Sequence, residues 1–315
     1  MQNLPPEILL LIYSFLPLKS LIHARCVSQK WRQLVLTSNL TPARRGLLKL
    51  YYDFLASPAF DSSRQKLLKK LVPFDREAYI NTLNASFNVR VNDPPHIRVP
   101  PEDLEDDPNA TDDIEKDFAQ LKHAHNLTFD YPSHLPDDFV TWVLEWPARA
   151  ILSWAWPGLD AEFRMHSGGP ARPYGSNCLS AEHMRKPQWF VCWLPLLEQR
   201  FNYDGGFDEE VPDASSNSLL KAGDVPFALA LDIWNEGCAM VECIILHAVD
   251  KRFNGMVYAG YEGSIIPVSP CVAESWLGYQ RRILVRLNER YEKQRNQDED
   301  GSEDESSDNS DSSDS

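Results

Sequence analysis

Prolines and apolar helical spacing divide residues 4–36 into three short helices. Pro5 and Pro6 begin the first helix, because proline is tolerated where a backbone N–H has no helical partner. Pro17 ends this helix and begins the second, and Ser28 is a candidate N-cap for the third. Five residues of the first helix follow the i, i+3, i+4, i+7, i+8 spacing of one face: Ile8, Leu11, Ile12, Phe15 and Leu16. The pattern predicts a small three-helix unit.

A unit of this size buries too little surface to be stable alone. Leu9 and Leu10 make the first helix apolar on a second side as well. The remaining apolar positions of the unit are Leu18, Leu21 and Ile22 in the second helix, and Val27, Trp31, Leu34 and Val35 along the third. The unit is therefore either the beginning of one larger core or a module that binds a partner.

Three segments of this unit resemble the F-box in order, spacing and residue type: Leu4-Pro5-Pro6-Glu7-Ile8-Leu9, Phe15-Leu16-Pro17-Leu18-Lys19-Ser20-Leu21 and Arg25-Cys26-Val27-Ser28-Gln29-Lys30-Trp31-Arg32. The resemblance implies binding to the Skp-type adaptor of an SCF-type cullin–RING ubiquitin ligase and, through it, to the cullin and RING subunits. Positions that match the family's adaptor-binding or packing pattern are Leu4, Pro5, Ile8, Ile12, Leu16, Pro17, Leu18, Leu21, Val27 and Trp31. Trp31 is expected to pack among the three helices.

The net charge of −15 is concentrated in two segments. Residues 298–315 contain nine acidic residues and no basic one, and residues 93–117 contain ten acidic residues against Arg98 and Lys116. The rest of the chain carries a net charge of +2. Without a large cationic excess to neutralise phosphates, a nucleic-acid partner is not expected.

Five prolines and eight acidic residues between Asn92 and Asp113 predict a linker or an exposed loop. The serine- and acid-rich C-terminal segment has too few apolar residues to form a core. The predicted organisation is an F-box at residues 1–40, a helical extension at 41–91, an acidic proline-rich linker at 92–113, an α+β domain at 114–290 and a disordered acidic tail at 291–315.

The second half of the chain alternates helical and strand-like segments. Four short stretches are rich in β-branched and aromatic residues and are bounded by turn signals: Trp189–Leu197, Val225–Trp234, Met240–Val249 and Met256–Tyr261. Asn254-Gly255 predicts a tight turn, and helical spacing recurs over 114–125, 137–144 and 274–291. These patterns predict an α+β fold with a mostly antiparallel sheet.

Scattered segments of this half resemble the SUKH superfamily, which includes the fungal cell-wall-assembly regulator family. They are Leu135-Pro136-Asp137-Asp138-Phe139, Trp193-Leu194-Pro195-Leu196, Phe227-Ala228-Leu229-Ala230-Leu231-Asp232, Gly255-Met256-Val257-Tyr258 and Glu274-Ser275-Trp276-Leu277. The long acidic segment 199–224 departs from the family's pattern. The resemblance implies a protein-interaction domain without a cofactor, suited to recruiting a substrate.

Within segment 199–224, the sequence predicts an acidic loop that contains Asp204, Asp208, Glu209 and Glu210. One interpretation is a substrate-facing docking loop that attracts a basic partner. The other is an ordinary solvated loop.

No arrangement of catalytic or metal-binding residues emerges. His123 and His125, with Asp117 or Asp130, lack a further clustered ligand, so no metal site is predicted. The cysteine–histidine pairs considered are Cys192 with His183 and Cys243 with His247. Both cysteines lie in apolar strand-like segments, where buried and inert thiols are expected.

The sequence thus predicts a non-catalytic substrate receptor of an SCF-type ubiquitin ligase, with no cofactor. The alternative is a ligase-independent scaffold or regulator that uses the SUKH-like domain. The apolar run Ile8–Leu18 is too short for a transmembrane helix and lacks the features of a signal peptide, so no membrane contact is expected. A cytoplasmic or nuclear location is expected.

Overall fold

The computed structural model describes residues 4–92, 135–151, 153–164, 174–183, 191–200, 227–235, 240–248, 251–261, 266–269 and 271–301. Its α-helices are α1 (Pro6–Phe15), α2 (Leu18–Val27), α3 (Gln29–Thr37), α4 (Pro42–Ala56), α5 (Ala59–Leu68), α6 (Arg76–Asn92), α7 (Asp137–Glu145) and α8 (Trp276–Gly301). Its strands are β1 (Glu162–Arg164), β2 (Tyr174–Asn177), β3 (Val191–Arg200), β4 (Phe227–Asn235), β5 (Met240–Ala248), β6 (Val257–Tyr261) and β7 (Ile266–Ser269). Within these ranges no helix combines the length and apolarity needed to cross a bilayer.

The sheet is mixed and mostly antiparallel. Strands β3, β4, β5 and β6 pair antiparallel in that order, the β1–β2 pair joins β4, and β7 lies parallel to β3. Along β4 the side chains alternate with period two, as a strand requires. Leu229, Leu231 and Ile233 face the main core, whereas Ala228 and Ala230 face a smaller apolar cluster on the other side of the sheet.

One hydrophobic core joins the N-terminal helices to the sheet half of the chain. Its largest fully buried side chains include Tyr13, Phe54, Trp146, Trp156 and Trp276. The rings of Trp142 and Trp156, and those of Trp142 and Trp276, meet edge to face, with 4.7 Å between ring centroids in each pair. Segments on both sides of the predicted linker therefore share one packed interior.

The carboxylate of Glu145, the last residue of α7, connects α7 to α2 and α4. Glu145 Oε2 accepts a 2.8 Å hydrogen bond from the backbone N–H of Leu18, the first residue of α2. Arg44 of α4 donates to the same carboxylate through Nη2 at 2.6 Å and through Nε at 3.0 Å. These hydrogen bonds from Arg44 raise the pKa of its guanidinium. Because Pro17 offers no side-chain cap, Glu145 supplies the anionic cap that a helix N-terminus favours.

The same end of α7 is also held by Arg76, at the start of α6. Its Nη1 donates to the carbonyl oxygens of Val143 and Leu144 at 3.1 Å and of Trp146 at 2.7 Å. Burial lowers the pKa of Arg76. A cation at this position satisfies carbonyls that have no helical partner and complements the helix dipole.

The α+β fold class and the order of helices before a mostly antiparallel sheet are confirmed. The ends of strands β3 to β6 lie within three residues of the ends of the four predicted strand segments. Gly255 has a positive φ of 82°, as its predicted turn favours. The terminal helix continues ten residues beyond Tyr291, because the polar residues that follow contain no helix breaker before Gly301. The predicted linker beyond Asn92, the helix at 114–125 and residues 302–315 lie outside the described residues.

We predict that Glu145→Gln lowers the free energy of unfolding by about 1–3 kcal/mol, because it removes the charge that Arg44 and the α2 N-terminus share. Urea denaturation of the full chain measures this change. Glu289→Gln, at an exposed position of α8, is the matched control and should change stability by less than about 0.5 kcal/mol. Equal losses in the two variants would contradict the capping role of Glu145.

We predict a pH-dependent effect at Asp138, whose Oδ2 accepts a 3.0 Å hydrogen bond from the N–H of Leu277. Burial raises the pKa of this carboxyl above its usual value of 3.8, and the hydrogen bonds offset only part of that effect. The Asp138 carboxyl thus binds a proton more readily in the folded chain than in the unfolded chain. Its contribution to the free energy of unfolding therefore falls as pH rises from 3.8 through the raised pKa.

The stability of Asp138→Asn relative to the unsubstituted chain should therefore increase with pH across that window and then become constant. Urea denaturation of both proteins in parallel, at intervals from about pH 4 to pH 7, measures the difference. A difference that is independent of pH, or that decreases as pH rises, would contradict this assignment.

Candidate functional site

One face of α1 presents large apolar side chains to solvent. The face consists of Ile8, Leu11, Ile12 and Phe15, which we call the α1 stripe. Leu11 is 57% exposed and Phe15 is 75% exposed. The opposite face carries Leu9 and Tyr13, which are buried. The helix therefore uses one apolar face for its own chain and leaves the other available to a partner.

Three further apolar side chains are exposed on the same three-helix unit. Leu4 precedes α1, Val27 ends α2, and Leu36 lies on α3. Full burial of a large aliphatic or aromatic side chain is worth about 1.5–3 kcal/mol. A partner that covered the α1 stripe and some of these neighbours would gain a binding energy appropriate to a specific complex.

Packing inside the unit holds the α1 stripe in place. The rings of Tyr13 on α1 and Trp31 on α3 meet edge to face with 5.8 Å between centroids, and burial raises the pKa of Tyr13. Ser28 Oγ accepts the N–H of Trp31 at 3.2 Å, so the predicted cap of α3 is present. Leu21 and Val35 are fully buried beneath these contacts.

The predicted adaptor-binding residues separate into exposed and packed groups. Leu4, Pro5, Ile8, Ile12, Pro17 and Val27 are exposed, Leu16 and Trp31 are half-buried, and Leu18 and Leu21 are fully buried. Leu18 and Leu21 thus belong to the packing part of the pattern, because α2 turns them toward the core, and they present no surface to a partner. Conversely, Leu11 and Phe15 were not among the predicted site residues, although their helical spacing with Ile8 and Ile12 places them on the same face.

The other candidate residues form no catalytic or metal centre in the part of the chain that the structure describes. Asp204, Asp208, Glu209 and Glu210 lie outside the described residues, as do His123 and His125. Cys243 is buried, and His183 contacts the carbonyl oxygen of Asn177 through Nδ1 at 3.0 Å. Among the described residues, no group of three or more His, Cys, Asp and Glu side chains is placed to hold a metal ion.

The family model for the F-box domain matches residues 1–42. The match contains α1, α2 and α3 and ends at the first residue of α4. No curated protein and no solved structure matches the chain. F-box domains bind Skp-type adaptors, and F-box proteins are generally non-catalytic adaptors of ubiquitin ligase complexes, so this match suggests an adaptor role in an SCF-type ligase.

We predict opposite consequences for two leucines of the matched segment. Leu18→Ala should lower the free energy of unfolding by about 2–5 kcal/mol, because the side chain is fully buried. Leu11→Ala should change it by less than about 0.5 kcal/mol, because the side chain is exposed. Urea denaturation of both variants tests the assignment, and a large loss of stability from Leu11→Ala would show that the α1 stripe packs within the chain.

Proposed function

We propose that the chain is a substrate-recognition subunit of an SCF-type cullin–RING ubiquitin ligase. The α1 stripe binds the Skp-type adaptor, and the α+β half recruits a protein substrate. The observation that carries the proposal is the α1 stripe itself: an apolar helix face exposed to solvent inside a segment that matches the F-box domain. The chain carries out no bond chemistry in this role; it holds a substrate near the site of ubiquitin transfer and raises its effective concentration there.

We infer the recruiting role of the α+β half from the segments whose sequence resembles the SUKH superfamily. Two of these segments contact each other across 139 positions of the sequence: Asp138 accepts the N–H of Leu277. The rings of Phe139 and Trp276 meet edge to face at 5.0 Å. Three others supply strands β3, β4 and β6 of the sheet. Residues of these segments lie in one core and one sheet, and we infer that this half of the chain carries the substrate-binding surface.

The packing between the two halves gives the proposal a geometric basis. Glu145 caps the F-box helix α2 from the end of α7, and Arg44 of α4 completes the contact. A receptor in which the adaptor-binding helices and the recruiting half share one core holds its substrate at a fixed distance and angle from the adaptor. Fixed orientation is what a proximity mechanism uses to favour transfer.

We predict that Phe15→Ala weakens binding to a purified Skp-type adaptor by about 30-fold, the equivalent of about 2 kcal/mol at an interface hot spot. Val285→Ala, which removes a 54% exposed apolar side chain from α8, is the matched control and should leave the affinity unchanged. Isothermal titration calorimetry with the full chain measures both affinities.

Purification of the tagged full chain from cells tests the whole assignment. Recovery of the adaptor together with the cullin supports it, and Phe15→Glu should abolish recovery of both. Recovery of the adaptor without the cullin would favour the scaffold function instead. If the unsubstituted chain recovers neither, or if Phe15→Glu leaves recovery unchanged, the ligase function is wrong.

A further inference from the structure

The first 70 residues are strongly basic, in contrast to the rest of the chain. They contain eleven Lys and Arg residues against Glu7, Asp53 and Asp61, whereas the whole chain has a net charge of −15. The net charge of +2 outside the two acidic segments is therefore the sum of a cationic N-terminal region and acidic residues farther along the chain. A local excess of one sign attracts ligands of the opposite sign to that surface.

Part of this excess surrounds Tyr52 on α4. The Arg25 guanidinium lies over the Tyr52 ring, with its Cζ 3.7 Å from the ring centroid. Arg45 and Lys49 are exposed on α4 at positions seven and three residues before Tyr52, and this spacing places them on the same helix face. Arg32 on α3 is also exposed and lies near Tyr52. Burial raises the pKa of Tyr52, and the charges of Arg25 and Arg32 offset part of this increase.

Two donors at the centre of this group have no acceptor among the described residues. Arg25 Nε and the Tyr52 hydroxyl are both shielded from solvent, and neither has a hydrogen-bond partner in the part of the chain that the structure describes. No described carboxylate pairs with Arg25, Arg32, Arg45 or Lys49. Buried donors without acceptors are uncommon, so their coincidence with cations that have no carboxylate partner among the described residues favours an anion-binding site.

The position of Arg25 over the Tyr52 ring suits such an anion. The Arg25 guanidinium contacts the face of the Tyr52 ring with its Cζ 3.7 Å from the centroid, and such a contact leaves the in-plane N–H groups of a guanidinium available as donors. A planar fork of donors binds carboxylate or phosphoryl oxygens in a bidentate manner, and a guanidinium held against a ring loses less freedom when it does so.

We propose that Arg25, Arg32, Arg45, Lys49 and Tyr52 form a binding site for an anionic peptide segment, with acidic or phosphorylated side chains, on the face of α4. Arg25 and Tyr52 bind the central anionic group, and the other three cations bind flanking charges. A short peptide experiences this local field, whereas a long polyanion such as RNA also meets the negative charge of the remaining chain. The site goes beyond the ligase function, and its binding assay requires no adaptor, so either proposal can fail without the other.

The test uses the full chain and three fluorescent twelve-residue peptides that differ only at four positions, occupied by glutamate, phosphoserine or glutamine. Fluorescence anisotropy should show binding of one or both anionic peptides at least about tenfold tighter than binding of the glutamine peptide, and weaker binding as KCl rises from about 50 to 200 mM. Tighter binding of the phosphoserine peptide identifies a phosphoryl ligand, and equal binding of the two anionic peptides identifies a carboxylate ligand.

Four variants locate the site. Arg25→Gln should weaken binding about tenfold, and Tyr52→Phe about threefold, because the ring that supports Arg25 remains while the hydroxyl is lost. Arg290→Gln, at an exposed position of α8, should leave the affinity within about twofold. Circular dichroism checks that each variant is folded. Arg25→Lys keeps the positive charge but loses the planar set of guanidinium donors, so its affinity should lie between those of Arg25→Gln and the unsubstituted chain.

Three results would overturn the proposal. The first is equal binding of the glutamine peptide and the anionic peptides. The second is an equal effect of Arg25→Gln and Arg290→Gln. The third is Arg25-dependent binding of a twelve-nucleotide RNA that is tighter than that of either anionic peptide, which would identify a nucleic-acid site instead.

Discussion

The carboxylate of Glu145 is the contact on which the arrangement of the helices depends. It accepts the first N–H of α2 and two donors of Arg44, so it fixes the positions of α2 and α4 relative to the end of α7. Arg76 holds the same helix end through three carbonyl oxygens. The charge of Glu145 is thus balanced by Arg44 and by the α2 dipole, and the α7 dipole is balanced by Arg76. Arg44 Nη1 also donates to the carbonyl oxygen of Ser14 in α1 at 3.5 Å, so the same arginine links Glu145 to the helix that carries the α1 stripe.

Periodicity predicted much of the fold but could not show which surface each apolar face meets. The spacing of Ile8, Leu11, Ile12 and Phe15 predicted a helix face, and only the tertiary structure shows that this face is exposed while Leu18 and Leu21 are buried. Proline and glycine positions predicted helix starts and the turn at Gly255, because these residues act through local backbone geometry. The α1 stripe could therefore be found from the sequence, but its separation from the packing residues could not.

Contacts between distant residues account for most of what was missed. Glu145 lies 127 positions from Leu18, and no local pattern relates the two. Strand β7 pairs parallel with β3, so its partner is not its sequence neighbour. The basic group around Tyr52 was missed for a different reason. The net charge of +2 outside the two acidic segments is a sum in which acidic residues elsewhere offset the cationic N-terminal region. Charge becomes informative about a site only when the fold shows which residues share a surface.

The cap on α2 also has a consequence for biosynthesis. A ribosome adds about 5–20 residues each second, so the residue that caps α2 is synthesised roughly 6–25 s after Leu18. During that interval the nascent F-box helices have neither their distant cap nor the aromatic core formed by Trp142, Trp146 and Trp156. Their apolar side chains are exposed on both faces of α1, which is the kind of surface that chaperones bind. The N-terminal helices therefore complete their packing only after the second half of the chain has emerged.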